Sequence, residues 1–242
     1  MPAELHQLTM VHPLPPAPLV DRVAHLTAAA HGRRVIHVGF VDAGCATGQR
    51  RAGRWLHDHL ARSASSLVGI DLDEAGVAAA RAAGFEAHRL DAADPAAVAA
   101  AGIEPAPLVI AGEWIEHLDA PGALLEGLHA LVAPGGQLVV TTPNAYGWLN
   151  VGASLVRTEI NHPDHVCMFT WRTLSALGAR HGWAVEHTAV YVPVVRQLPR
   201  RGLRGRVLGW AARGACALER LACRLGRPYA ADGLIVTFRS TR

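Results

Sequence analysis

The chain has 242 residues, half of them apolar and 18% charged, with a formal net charge of +3. That length buries a core without disulfide or metal staples, and that composition excludes a disordered chain. No run of 18 uncharged apolar residues occurs, so no membrane-spanning helix is expected.

Aromatic residues are few, so alanine and branched aliphatics must fill the core. Every basic residue is arginine and none is lysine, a compositional bias rather than a binding signal. The four cysteines, Cys45, Cys167, Cys216 and Cys223, form no C-x-x-C pair, so reduced thiols and a cytoplasmic location are expected. Residues 1–18 are proline-punctuated and lack the apolar stretch of a signal peptide; they read as a flexible leader to one domain over 19–242.

In chain order, a helix is expected over about 19–30, then a strand over 35–41 running into the small-residue loop 42–48. A helix at 49–63 leads to a strand at 67–71, a helix at 73–83 stopped by Gly84, and a strand at 85–90. Pro95 opens a short helix. A strand at 108–111 and a helix at 121–132 follow, and Pro134-Gly135-Gly136 turns the chain into a strand at 137–142. A helix at 171–181, a strand at 183–192, an insert at 196–227 and a strand at 234–238 complete the pattern. Strand–helix alternation of this kind makes a parallel sheet wrapped on both faces, a doubly wound α/β fold.

The insert at 196–227 holds nine arginines against one acid, Glu219, a local charge of +8. Arg206, Arg213 and Arg220 recur every seven residues, so on a helix they form one stripe, with Val207, Trp210, Leu218, Leu221 and Leu225 mostly on other faces. Such a basic amphipathic helix either packs with a solvated Arg face or touches an anionic substrate, a nucleic acid or a lipid surface.

Open α/β sheets bind ligands beyond the carboxyl ends of their strands. The first strand ends in Asp42-x-Gly44-x-Ala46-x-Gly48, where Asp42, Gly44, Cys45, Ala46 and Gly48 let a backbone approach a ligand closely ahead of a helix N-terminus. The second ends in Asp71, followed by Leu72, where a carboxylate can accept both hydrogen bonds of a ribose diol. The third ends in Asp91, placed to accept from an adenine amino group while Ala92 offers backbone contacts. A glycine loop alone is a weak signal; acids at three successive strand ends are a stronger one.

These residues resemble the class I S-adenosylmethionine-dependent methyltransferases. The segment 38–48 looks like their first motif, Gly69-Ile70-Asp71-Leu72-Asp73 the second and Leu90-Asp91-Ala92-Ala93-Asp94 the third. Gly112-Glu113-Trp114-Ile115-Glu116-His117-Leu118 is similar to the segment after strand 4, and Thr141-Thr142-Pro143-Asn144 fits a branch of the family. Ala46 departs from the family's usual glycine. The resemblance implies a mostly parallel seven-stranded Rossmann-like sheet, its last strand inserted antiparallel beside the sixth and preceded by the Arg-rich helical insert. It also implies S-adenosyl-L-methionine as cofactor, held by Asp71, Leu72, Asp91, Ala92 and the 42–48 loop, with Glu113 near its methionine end.

Methyl transfer to a hydroxyl needs an oriented acceptor and a proton acceptor. Glu113, Glu116 and His117 lie at i, i+3 and i+4, and Asn161-His162-Pro163-Asp164-His165 falls in a loop opening on the same sheet edge. Two branches compete for them. The Glu-x-x-Glu-His pattern with a distant His resembles RNA 3′-end 2′-O-methyltransferases, whose corresponding positions, here Glu113, Glu116, His117 and His165, hold a divalent metal. His-x-x-His ahead of Phe169-Thr170-Trp171 looks more like a bacterial branch acting on small molecules, sugars and lipid head groups, which implies His117 as base with Glu116 beside it and no metal. The expected protein is therefore an enzyme that O-methylates a small metabolite, sugar or natural product. Nucleic acid is not the expected partner, and peripheral membrane contact through the Arg-rich helix stays open. A non-catalytic cofactor-binding or membrane-surface protein is the alternative of another class.

Overall fold

The computed structural model describes residues 11–41, 53, 55–155, 157–193 and 202–242. Asp42, Gly44, Cys45, Ala46 and Gly48 lie outside the described residues.

Helix α1 (Arg22–Ala30) begins where the Asp21 carboxylate accepts the Ala24 amide at 2.9 Å. It starts later than expected because the chain before it is extended: Leu19 bridges to Val190, and the Val20 amide donates to the Val190 carbonyl. The end of the expected leader is seated too, since Ala17 is buried and the Tyr229 hydroxyl donates to the Pro15 carbonyl. The leader reading is corrected there: Ala17, Val190 and Tyr229 share one apolar cluster.

Strand β1 (Arg34–Val38) stops at Gly39 rather than at Val41, because Gly39 takes a φ of +68° that breaks the pleat. Then come α2 (Leu56–Ser63), β2 (Ser66–Asp71), α3 (Glu74–Ala82), β3 (Glu86–Arg89), α4 (Pro95–Ala100) and β4 (Ala106–Gly112). Asp73 and Asp94 cap α3 and α4 with their carboxylates. A 3₁₀ turn (Ile115–His117) and α5 (Pro121–Leu128) precede β5 (Val132–Pro143). β5 begins before Pro134-Gly135-Gly136 rather than after it, and pairing with β4 shifts register between Ala106 and Leu108. A step of two residues on β4 thus faces a step of five on β5, and the Pro-Gly-Gly stretch interrupts the ladder there with Gly135 at a φ of 71°. Helix α6 (Trp148–Leu155) has no counterpart in the sequence reading. The chain closes with α7 (Trp171–Arg180), β6 (Trp183–Tyr191), α8 (Gly202–Arg224) and β7 (Gly233–Ser240).

The sheet order is β3-β2-β1-β4-β5-β7-β6, with β7 antiparallel to both neighbours and the other pairs parallel. Alternate residues of each strand face opposite layers. Ile36, Val68, Val109, Leu138 and Phe238 pack with Leu124, Leu128 and Leu174 on one face. Val35, Leu108, Ile110, Val139 and Ile235 pack with Leu26 and Leu60 on the other. Among the described residues no helix is long and apolar enough to cross a membrane.

The Arg-rich stretch does form a helix, α8. Its inner face carries buried Ala222 and Glu219, and Glu219 accepts the Leu149 amide of α6 at 3.1 Å. Arg206 and Arg213 are exposed, as are Trp210, Leu218, Leu221 and Leu225.

Candidate active site

The carboxyl ends of β1, β2 and β3 form one edge. Gly39 turns the chain there, and a Cβ on it would lie 2.7 Å from the Trp114 ring, so glycine is required by both conformation and space. The Val41 amide then donates to Asp71 Oδ2 at 2.8 Å, and the Asp73 amide to Asp71 Oδ1 at 3.0 Å. Each oxygen keeps a second lone pair. Burial raises the Asp71 carboxyl above its usual range, against the pull of those amides. Leu72 beside it is exposed, and Asp91 Oδ1 accepts the Ala93 amide at 2.8 Å. Two half-buried carboxylates and an apolar side chain on one strand-end edge are the chemistry that a ribose diol and a purine face require, so Asp71, Leu72, Asp91 and Ala92 fit an adenosyl group.

At the end of β4, Glu113 adopts a φ of 54°, rare for a side chain with a Cβ. Its amide donates to the Thr141 carbonyl at 2.8 Å, and the reversal turns its carboxylate over β5. There Glu113 Oε1 accepts the hydroxyls of Thr141 and Tyr191, with Arg22 Nε at 3.9 Å. Burial, then the Glu113 charge, holds the Tyr191 phenol well above its usual range, so it stays a donor. Successive threonines serve opposite sides: Thr141 holds Glu113, and Thr142 donates to Glu116 Oε2 at 2.9 Å.

Glu116 is fully buried, its Oε1 without a hydrogen-bond partner among the described residues. Burial, then the Glu113 charge, pushes its carboxyl up to about 8. His117, next in sequence, is half-buried, with Nδ1 3.2 Å from the Asp164 carbonyl. The 161–165 loop folds back on this turn, because the amides of Val166 and Cys167 both donate to the Glu116 carbonyl. His117 and His165 meet edge to face at 4.6 Å between ring centres, and His162 joins them. Burial, then the neighbouring imidazoles, lowers the His165 pKa. Thus Glu116, His117 and His165 come together, while the Glu113 carboxylate is engaged by Thr141 and Tyr191.

Glu113, His162 and His165 line a cleft of about 330 Å³ together with Leu149, Ile160, Tyr191, Cys216 and Asp232. Arg22, Tyr191 and Asp232 escaped the sequence reading, and Thr141 was read only as part of a motif. Tyr191 and Asp232 line the cleft from the end of β6 and the residue before β7, while Arg22 and Thr141 meet Glu113 from α1 and β5, and no local pattern connects those segments. His162 sits inside a cluster that the sequence did mark.

A family model described as a methyltransferase domain matches residues 20–188. The chain belongs to that methyltransferase family. Ubiquinone biosynthesis O-methyltransferase of Pseudomonas paraeruginosa is 30% identical over 137 residues, covering 52% of this chain and 54% of that protein. The Bordetella avium protein of the same name is 28% identical over 172 residues, covering 67% and 64%. The chain thus spans a little over half the length of these curated relatives. Among solved structures, an S-adenosylmethionine-dependent methyltransferase from Mesorhizobium loti superposes with a TM-score of 0.50 at 21% identity, over 89% of this chain and 96% of that one. Magnesium protoporphyrin IX methyltransferase from Synechocystis, with bound SAH, gives 0.53 at 14% identity, over 90% and 79%. Both share the fold.

Proposed function

We propose that the protein is an S-adenosylmethionine-dependent methyltransferase that methylates a hydroxyl oxygen of a small acceptor in the cytoplasm. The observation that carries this reading is the Asp71 carboxylate, oriented by the Val41 and Asp73 amides at the end of β2 with exposed Leu72 beside it. When bound, the cofactor supplies a methyl group on a sulfonium, open to in-line displacement. Asp71 accepts from the ribose diol, and Asp91 with Ala92 reads the adenine edge. Glu113, fixed by Thr141 and Tyr191, sets a negative charge facing the cleft, suited to the cationic end of the donor.

The acceptor enters the cleft beside His162 and His165. His117 keeps its proton on Nδ1, toward the Asp164 carbonyl, leaving Nε2 free to take the acceptor's hydroxyl proton. The relatives' name, an O-methyltransferase of ubiquinone biosynthesis, makes hydroxylated rings the first acceptor class to test. The two helices lining one wall, α6 and α8, carry exposed Trp148, Val151, Leu155, Trp210, Leu218 and Leu221 beside exposed arginines. That composition supports a resting position against an anionic lipid surface, from which an apolar acceptor reaches the cleft.

The experiment is transfer of an isotopically labelled methyl group to a panel of hydroxylated aromatic acceptors, with and without vesicles. Label recovered on oxygen supports the reading; label on nitrogen or carbon alone, or no transfer to any acceptor, contradicts it.

A further inference from the structure

Three imidazoles on two separate chain segments converge at the cleft. The ligand nitrogens of His117, His162 and His165 all lie within 4.8 Å of one another. Two of the rings have their second nitrogen already held: His117 Nδ1 lies 3.2 Å from the Asp164 carbonyl, and His165 Nδ1 lies 2.6 Å from Asn161 Oδ1. That arrangement fixes Nε2 as the unprotonated nitrogen, as the outer partners of metal-bound histidines do. Behind them Glu116 Oε1 is buried with no hydrogen-bond partner among the described residues, 3.9 Å from His165 Nε2. A buried acceptor left unpaired is costly unless something pairs with it. The carbonyl of Glu116 itself anchors the loop that carries the other two histidines, through the Val166 and Cys167 amides at 3.0 and 3.1 Å.

We propose that His117, His162 and His165 bind one divalent ion of the zinc and iron(II) class at the wall of the acceptor cleft, with the Glu116 carboxylate as its fourth protein partner. An ion about 2.1 Å from each nitrogen needs nitrogens about 3.4 Å apart, so the rings close by roughly 1 Å on binding. His162 is exposed, and that face is open to such a movement. Imidazole suits zinc, iron, cobalt and nickel, whereas magnesium prefers oxygen donors and retained water. The set differs from the one that motif spacing suggests: Glu113 is taken up by Thr141 and Tyr191, and His162 stands in its place.

The role of the ion rests on the methyltransferase reading above; its binding does not. His162 and His165 line the cleft, so expansion to a fifth coordination position on that side would receive the acceptor oxygen. The hydroxyl proton leaves to solvent, and the oxygen then forms its bond to the methyl carbon as the carbon–sulfur bond breaks, its electron pair staying on sulfur. With the ion bound, His117 is a ligand and the acidifying work passes from imidazole to metal.

The test is calorimetric titration of the chelator-stripped full chain with zinc, cobalt(II) and magnesium, with the visible absorption of cobalt as a second readout. One zinc or cobalt per chain and no magnesium binding are expected. His162→Ala and His165→Ala should each weaken zinc binding by at least about 10-fold, Glu116→Gln by about 10-fold, and His88→Ala, on β3, not at all. His162→Asn serves if the alanine variant misfolds. S-adenosylhomocysteine affinity should be unchanged in His162→Ala. Absence of saturable zinc binding, or binding as tight in the His162→Ala/His165→Ala double variant, overturns the proposal. Failure to bind S-adenosylhomocysteine while zinc binds overturns the cofactor reading instead.

Discussion

Glu116 Oε1 faces His165 Nε2 at 3.9 Å, while the Thr142 hydroxyl holds the other carboxylate oxygen at 2.9 Å. One buried side chain thus ties β5 to the back of the histidine face. Replacing it by alanine strands the Thr142 hydroxyl and opens a void. Glu116→Ala should cost about 1–3 kcal/mol from the lost hydrogen bond, with a further loss from the cavity. Glu116→Gln, which keeps an acceptor for Thr142, should retain most of the stability. Denaturant unfolding checks both, and equal losses in the two variants would contradict the pairing.

Gly39→Ala tests the turn that opens the adenosyl edge. The substitution meets a φ of +68° and the Trp114 ring at 2.7 Å. The backbone conformation alone should cost about 1–2 kcal/mol, with more from the clash. Gly84→Ala, where φ is +89° but nothing lies within 4 Å of the added carbon, isolates the backbone share. Thermal unfolding should rank Gly39→Ala below Gly84→Ala; the reverse order would mean that Trp114 yields freely.

Stability should fall on both sides of neutrality. Burial holds His57 down to about 3 and lowers His37, whose Nδ1 lies 3.2 Å from His57 Nδ1. The unfolded chain takes up those protons near 6.5, so acid favours unfolding, and this share of stability is lost as pH drops from about 6.5 toward 3. Glu219 runs the other way: burial, then the charge of Asp232, raises it to about 8 from the ordinary 4.5. The folded chain then keeps a proton that the unfolded chain releases, so stability declines as pH rises from 4.5 to 8. The groups facing Glu219 are Asp232, the Leu149 amide and Cys223. Glu116, raised to about 8 as well, contributes a decline over the same range, so calorimetric melting from pH 5 to 9 should show Glu219→Gln making the fall above pH 6.5 shallower without abolishing it. A variant curve parallel to the parent's would place that decline elsewhere.

What the sequence disclosed follows from the range of its signals. Asp73 and Pro95 mark helix starts within one turn, and α3 and α4 begin where they say. Asp71 and Asp91 end or follow their strands because a parallel strand must finish before its crossover helix. The Glu116-His117 pair and the His162/His165 loop were both legible as clusters. Their meeting was not, because it depends on the Val166 and Cys167 amides reaching the Glu116 carbonyl about 50 positions away. Pro134-Gly135-Gly136 reads as a turn by residue type and does interrupt the β4 ladder, but β5 begins before it, at Val132. Helix α6 was missed although Trp148, Val151 and Leu155 stand at i, i+3 and i+7, because Gly147, Asn150 and Gly152 lower the local helical propensity.

Those exposed side chains and the arginines of α8 carry the lipid-surface reading. Leu218→Glu with Leu221→Glu should weaken binding to anionic vesicles by about 10-fold or more, and binding to neutral vesicles should be weak throughout. Co-sedimentation at low and high salt checks this. Unchanged sedimentation of the double variant would assign the patch to something other than a lipid surface.

Titration of S-adenosylhomocysteine into the parent protein and into Asp71→Ala and Asp71→Asn is the most direct measurement of all. One site per chain is expected in the parent, with a loss of about 100-fold in Asp71→Ala from two charge-assisted hydrogen bonds to the ribose. Folded variants that bind as tightly as the parent, or a parent that binds nothing, would contradict the account.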